Sequence, residues 1–81
     1  MKKIRIDLDA FEDKREFHRW LRDECNFPEY YGCNLDALYD CLSENNDFYF
    51  EIVESEKYET YILSMMKIFR RTKCEYDVVE K

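Results

Sequence analysis

Three short segments in which apolar and polar residues alternate constrain the fold of this 81-residue chain most strongly. Apolar side chains at every second position predict a first strand over residues 3–8, a second over 48–53 and a third over 74–78. Helical patterns separate these segments, and strands joined by helical crossovers pair in parallel with right-handed connections. The sequence therefore predicts an α/β fold: a three-stranded parallel sheet covered by helices, in the order strand, helix, helix, strand, helix, strand.

The first helix is predicted over about residues 14–25. Asp13 begins a pattern that resembles a capping box, and apolar residues then recur at helical spacing. Pro28 lies beyond the end of this helix, because the residue before a proline avoids the helical region. Gly32 is expected to let the chain turn into the next element.

Two further helices are predicted. Asn34 is a good N-cap for a short second helix that ends near Ser43. Ser55 is expected to cap a third helix, along which runs one apolar stripe. This stripe consists of Tyr58, Tyr61, Ile62, Met65, Ile68 and Phe69.

Length and composition indicate one small domain over residues 1–81. A chain this short buries only about 60–65% of the surface that its unfolded form exposes, so its core must be dense. No stretch approaches the ~20 apolar residues that span a bilayer, and the first residues lack the apolar segment of a signal peptide, so a cytoplasmic location is expected. The cysteines show no C-x-x-C spacing, which favours reduced, structural thiols over disulfides or a zinc site. They are Cys25, Cys33, Cys41 and Cys74.

The charges of the chain are segregated. Residues 23–56 contain ten acids and no Lys or Arg, whereas all thirteen basic residues lie outside this segment together with nine acids. The segment therefore has a formal charge of −10, and the flanks together have +4. Such segregation argues against nucleic-acid binding by the segment and favours a cationic partner. The alternative is a solvated face that only keeps a small protein soluble.

The predicted second helix concentrates this acidity on one side. A helical wheel places its leucines on one face and Asp36 with Asp40, four residues apart, nearly opposite. Glu44 continues the row, and Tyr39 lies at its border. Like charges at this spacing disfavour an isolated helix by about a few tenths of a kcal/mol, and no basic residue lies three or four positions away. Asp36 also suits the helix dipole, but this structural explanation does not extend to Asp40.

The residues around this acidic row resemble a known protein family. The segment 28–42, PEYYGCNLDALYDCL, is similar to the signature of the barstar family of ribonuclease inhibitors. Phe17 with His18, and residues 68–70, also resemble the family. The resemblance implies a three-stranded parallel sheet with helices on it. It also implies an intracellular, immunity-like inhibitor that is not itself an enzyme.

The resemblance further implies how the contact is made. Inhibitors of this family insert the second helix and the preceding loop into the ribonuclease active site, where acids occupy the place of RNA phosphates. By position, Asp40 would be the central carboxylate, Asp36 would pair with a second basic group, and Tyr30 would pack against a ring of the enzyme. The residues that would shape or flank the contact are Gly32, Asn34 and Tyr39. The implied partner is a basic ribonuclease, barnase-like or a toxin, bound one-to-one without cofactor, metal, nucleic acid or membrane.

The chain departs from the family pattern at several positions. Arg71 stands where the family has an acid, Cys33 where the prototype has an acid, and Tyr39 where it has Trp. The connection between the second helix and the second strand is also shortened. The target therefore need not be the prototype ribonuclease, and Glu44 or Asp47 is a candidate to replace lost contacts.

Other functions are weighed against inhibition. Catalysis is disfavoured because Asp36 and Asp40 are expected to be exposed, and because His18, without a nearby Ser or Cys to activate, is better explained as a packing or surface residue. Carboxylates in a row on one helix, including Glu44, offer too few converging oxygens for Ca²⁺, so only weak surface binding is conceivable. An orphan acidic module that binds another basic protein or toxin domain stays open.

Overall fold

A computed structural model describes residues 1–81 and contains one parallel sheet of three strands in the order β1-β2-β3. The strands are β1 (Lys2–Ile6), β2 (Phe48–Val53) and β3 (Glu75–Val79). In register, Ile4 lies beside Phe50, and Phe50 lies beside Tyr76. The predicted fold class is therefore confirmed, with β2 at the centre of the sheet.

Three α-helices connect the strands. They are α1 (Lys14–Cys25) and α2 (Leu35–Glu44) between β1 and β2, and α3 (Glu59–Arg71) between β2 and β3. Asp13 Oδ1 accepts a hydrogen bond from the Glu16 amide at 2.8 Å, and Asn34 Oδ1 accepts one from the Ala37 amide at 2.8 Å. Both predicted N-caps are confirmed, because each side chain satisfies an amide that the helix itself leaves without a partner.

The largest differences from the predicted element boundaries are at the end of β1 and at the start of α3. The first strand ends at Ile6, because the Asp7 side chain accepts a hydrogen bond from the Asp9 amide and begins a 3₁₀ turn, Leu8–Ala10. The prediction that Ser55 caps the third helix is wrong, since α3 begins only at Glu59. The Ser55 hydroxyl instead accepts from the Tyr58 amide at 3.3 Å and donates to Asp9 at 2.8 Å, which closes a turn before the helix.

The role expected of Gly32 in the turn is also wrong. No glycine of the chain has a positive φ; the left-handed residues include Asn26 (φ 56°), which ends α1, and Cys33 (φ 55°). A Cβ built on Gly32 would lie 3.4 Å from the Asn34 amide nitrogen and 3.5 Å from the Ala37 Cβ, which is ordinary contact. The chain therefore turns at the residue after the glycine.

The hydrophobic core lies between one face of the sheet and the three helices. Alternate strand residues such as Ile4, Phe50 and Ile52 are buried, whereas their neighbours Lys3 and Arg5 are exposed. The ring of Phe50 stacks on a phenylalanine of α3 with centroids 4.5 Å apart. The helices contribute Phe17, Leu21, Leu38, Leu42, Ile62, Met65 and Phe69 to this core. Burial of one face of α2 leaves its other face to solvent.

Candidate acidic interface

The outward face of α2 carries three exposed carboxylates. Asp36, Asp40 and Glu44 follow one another at intervals of four residues, while Leu38 and Leu42 on the opposite face are at most 1% exposed. Because residues four apart share a side of a helix, the leucine packing fixes the direction of the acids. The structure therefore places all three predicted acids on one solvent-facing row.

No cation of the molecule neutralises this row. The structure contains six ion pairs within 4.0 Å, and none includes an acid of α2. By contrast, Glu51 on the sheet is paired with Lys3 and Arg5, and these hydrogen bonds, those from Lys3 first, lower its pKa. The acids of α2 thus repel one another without compensation, and their negative charge is available to another molecule.

The acidic row also acts on the nearest thiol. Burial raises the pKa of Cys41, and the negative charges of Glu44 and Asp40 raise it further. Burial likewise raises the pKa of Cys25 to about 12 and that of Cys74 to about 11. All four cysteines are free, and thiols with raised pKa values are poor nucleophiles and poor metal ligands. The burial of Cys25 and Cys74 agrees with the structural role predicted for them.

Two tyrosines flank the row. Tyr30, in the loop of residues 26–34 that connects α1 to α2, has 86% of its surface exposed, and Tyr39 of α2 has 39% exposed. Gly32 is exposed as well, so the loop backbone is accessible beside Tyr30. Asn34 uses its side-chain oxygen to cap α2, which makes it a residue that shapes the surface. We call the loop together with the row of Asp36, Asp40 and Glu44 the acidic interface.

A buried chain of hydrogen bonds lies beneath the loop. Tyr31 is only 6% exposed, and its hydroxyl lies 2.7 Å from His18 Nδ1. On the other side of the imidazole, Nε2 lies 2.5 Å from the Tyr61 hydroxyl of α3. Burial, with a smaller effect from the charge of Lys14, lowers the pKa of His18 to about 4. The ring is therefore neutral at neutral pH. Of the two structural explanations given for His18, a packing or a surface residue, its complete burial shows the packing one.

Sequence reasoning missed the part that Tyr31 plays here. Tyr30 and Tyr31 are adjacent and chemically identical, and only the second faces the core. The available signal was a histidine next to a core phenylalanine in α1, since a buried imidazole needs polar partners. Its two partners lie 13 and 43 residues further along the chain, which no local pattern connects to it.

The structure offers little elsewhere that resembles a catalytic or metal centre. No group of three or more His, Cys, Asp or Glu side chains is arranged to hold a metal ion. A surface cavity of about 910 Å³ is lined by residues 54–57 after β2, by α3 residues between Glu59 and Met66, and by Asp9, Val78 and Lys81, with no residue of α2. Arg71, which stands where the family resemblance leads one to expect an acid, lies at the end of α3, is exposed and has no ion-pair partner. No helix combines the length and apolar character needed to cross a bilayer.

Comparison with known proteins adds two findings. The sequence profile of a family described as "Barstar (barnase inhibitor)" matches residues 1–77. A Bacillus subtilis (strain 168) protein named "Putative ribonuclease inhibitor YrdF" is 54% identical over 43 residues, which are 53% of this chain and 47% of that protein. The match thus spans about half the length of this curated relative.

Proposed function

The chain belongs to the barstar family, and from this premise we propose that it inhibits a basic ribonuclease by inserting its acidic interface into the active site of that enzyme. The observation that carries the proposal is the row of exposed carboxylates on α2 with no cation of its own molecule nearby. A ribonuclease active site binds the phosphates of RNA with cationic side chains. Carboxylates at suitable spacing satisfy the same cations without offering a bond that can be cleaved.

Each residue of the acidic interface has a proposed part. Asp40, at the middle of the row, is the central carboxylate and enters the phosphate-binding centre, while Asp36 pairs with a second basic group. Tyr30 packs beside them, since a largely exposed aromatic ring gains contact area at little cost in conformational entropy. Glu44 extends the row at its far end, and Tyr39 borders the contact. The complex is one-to-one and blocks access of RNA sterically.

The proposed inhibitor acts as a binding protein and not as an enzyme. It needs no cofactor, metal, nucleic acid or membrane, because its own side chains supply both the charge and the shape. We place it in the cytoplasm, where four free thiols remain reduced. In that compartment it would protect cellular RNA from a ribonuclease or a ribonuclease toxin.

Inhibition assays with a matched pair of variants test this proposal. RNA cleavage by barnase and by a panel of other small basic ribonucleases is measured with the wild-type protein, with Asp40→Asn and with Glu75→Gln. Both substitutions remove one exposed negative charge, but Glu75 lies on β3 and is not part of the acidic row of α2. We expect Asp40→Asn to weaken inhibition by about 3–5 kcal/mol, because the partner cation is left buried without its counter-charge. Glu75→Gln should inhibit as the wild type does.

Two results would contradict the proposal in different ways. Equal inhibition by the wild type and Asp40→Asn would show that Asp40 is not the central carboxylate of the contact. Absence of inhibition across the panel would favour a second candidate, an acidic module that binds another basic protein or toxin domain. Arg71 favours this second candidate, because a cation stands where the family resemblance leads one to expect an acid. Calorimetry with the same panel distinguishes a protein that binds without inhibiting from one that does not bind.

A further inference from the structure

The loop of the acidic interface is held by few backbone hydrogen bonds. At its start, the amides of Asn26 and Phe27 bond carbonyls of the last turn of α1. Further along, the Tyr31 amide donates to the Pro28 carbonyl at 3.0 Å, and residues 32–34 donate no backbone hydrogen bond. A segment with so little backbone pairing depends on side chains for a fixed conformation.

Tyr31 supplies that fixed point. Tyr31 is buried, whereas its neighbour Tyr30 is almost fully exposed. The two rings therefore point in opposite directions: Tyr31 anchors the loop in the core, and Tyr30 lies in solvent. The Tyr31 ring lies 5.1 Å from that of Phe27 and 5.7 Å from the imidazole of His18, measured between centroids. The hydrogen bond to His18 adds direction to this packing, because apolar contacts alone allow a ring to slide.

The imidazole of His18 is itself held from the far side. Its other nitrogen is bonded to the Tyr61 hydroxyl, and the ammonium of Lys14 lies 4.8 Å from the centre of the Tyr61 ring. A neutral imidazole donates through one nitrogen and accepts at the other, so one hydroxyl must accept and the other donate. The arrangement satisfies every buried polar atom and joins α1, the loop and α3 in one chain.

We propose that His18 is a positioning residue for ribonuclease binding: through Tyr31 it holds the loop in the conformation that presents Tyr30 beside the carboxylates of α2. This inference rests on the proposed function, since it describes how that binding surface keeps its shape. Preorganisation strengthens binding because the loop loses its conformational entropy on folding and not on association. His18 touches no ribonuclease group and acts only through Tyr31.

A matched pair of phenylalanine variants tests this role. Tyr31→Phe and Tyr61→Phe each remove one hydroxyl from the same imidazole and keep the ring, but only the first releases the loop. Dissociation from an inhibited ribonuclease and amide hydrogen exchange of residues 29–34 in the free protein are measured for both. For Tyr31→Phe we expect dissociation and loop exchange to accelerate by up to about tenfold. For Tyr61→Phe we expect the dissociation rate and the loop exchange to change by less than about twofold. The Tm should fall in both variants, because each loses a buried hydrogen bond.

The outcomes separate positioning from a merely structural role. Similar binding by both variants, with lowered Tm in each, would overturn the proposal. Should Tyr31→Phe fail to fold, His18→Gln removes the ring and must accelerate loop exchange if the inference holds. If the wild-type protein binds no ribonuclease, the proposed function fails. Amide hydrogen exchange in the free protein then tests separately whether His18 holds the loop through Tyr31. Faster exchange of the loop amides in Tyr31→Phe but not in Tyr61→Phe would support this role of His18, and unchanged loop exchange in Tyr31→Phe would overturn it.

Discussion

The burial of His18 makes the stability of the folded protein depend on pH, whether or not the protein binds a partner. Its ordinary pKa of 6.5 applies to the unfolded chain, whereas burial lowers the pKa in the folded protein to about 4. Between these values the unfolded state binds a proton that the folded state does not, so stability must rise with pH across this window. The full difference corresponds to about 3 kcal/mol, present above pH 6.5 and lost as the pH falls to about 4.

Urea unfolding at a series of pH values measures this dependence. We expect the free energy of unfolding of the wild-type protein to fall between pH 6.5 and pH 5, where most carboxylates remain ionised. His18→Gln has no group that titrates there and should be nearly flat over the same interval. A wild-type slope that persists unchanged in His18→Gln would show that another group is responsible.

Among the elements, α2 shows how a functional surface depends on a local cap. The helix has ten residues, and it buries one face through Leu38 and Leu42 while repulsion within the acidic row opposes it. The Asn34 side chain satisfies one amide at its start, and no basic residue lies in its last turn to favour its other end. Stabilisation of this short helix therefore rests on its leucines and on Asn34.

Substitution of the cap should expose this dependence. Asn34→Ala is expected to lower the free energy of unfolding by about 1 kcal/mol, because the Ala37 amide loses its acceptor. Asn34→Asp is the matched control, since aspartate keeps an acceptor oxygen and its charge suits the helix N-terminus. Chemical denaturation of the three proteins provides the measurement. Equal stability of Asn34→Ala and the wild type would show that the cap is dispensable.

The elements were predictable where local pattern and tertiary packing agree. The alternation of β2 and the caps Asp13 and Asn34 lie in contiguous sequence, and the structure confirms these elements. The errors occur where side chains bond the backbone of a turn: Asp7 ends β1 early, and Ser55 closes a turn instead of beginning α3. Periodicity contains no information about such turns, because the same residue types cap turns and helices alike.

For the acidic interface, the sequence predicted the exposed row but not its support. The spacing of Asp36 and Asp40 against the leucines determines which face they share, and burial in the structure agrees. The bond between His18 and Tyr31 joins two elements whose contact depends on the tertiary fold, so no helical or strand period reveals it. The roles of these acids in binding stay predictions.

At the scale of the whole molecule, folding pairs some acids of residues 23–56 with cations and leaves others unpaired. Glu51, the one acid of residues 23–56 that lies on the sheet, meets Lys3 and Arg5 from the N-terminal flank. The acids of α2 do not, so the outward face of this helix presents negative charge that no cation of the molecule neutralises. The field of this charge attracts a cationic partner over distances comparable with the Debye length and accelerates the encounter. Short-range contacts that form after docking are screened far less.

Salt should therefore act on one rate constant and not on the other. Between about 0.01 M and about 1 M ionic strength the Debye length falls from about 30 Å to about 3 Å, so association with a basic ribonuclease should slow steeply while dissociation changes little. Stopped-flow fluorescence measures both rates. Asp36→Asn should weaken the salt dependence of association more than Glu75→Gln, although both lose one charge, because only Asp36 lies on the uncompensated row. Equal effects of the two substitutions would mean that net charge, and not the acidic face of α2, directs the encounter.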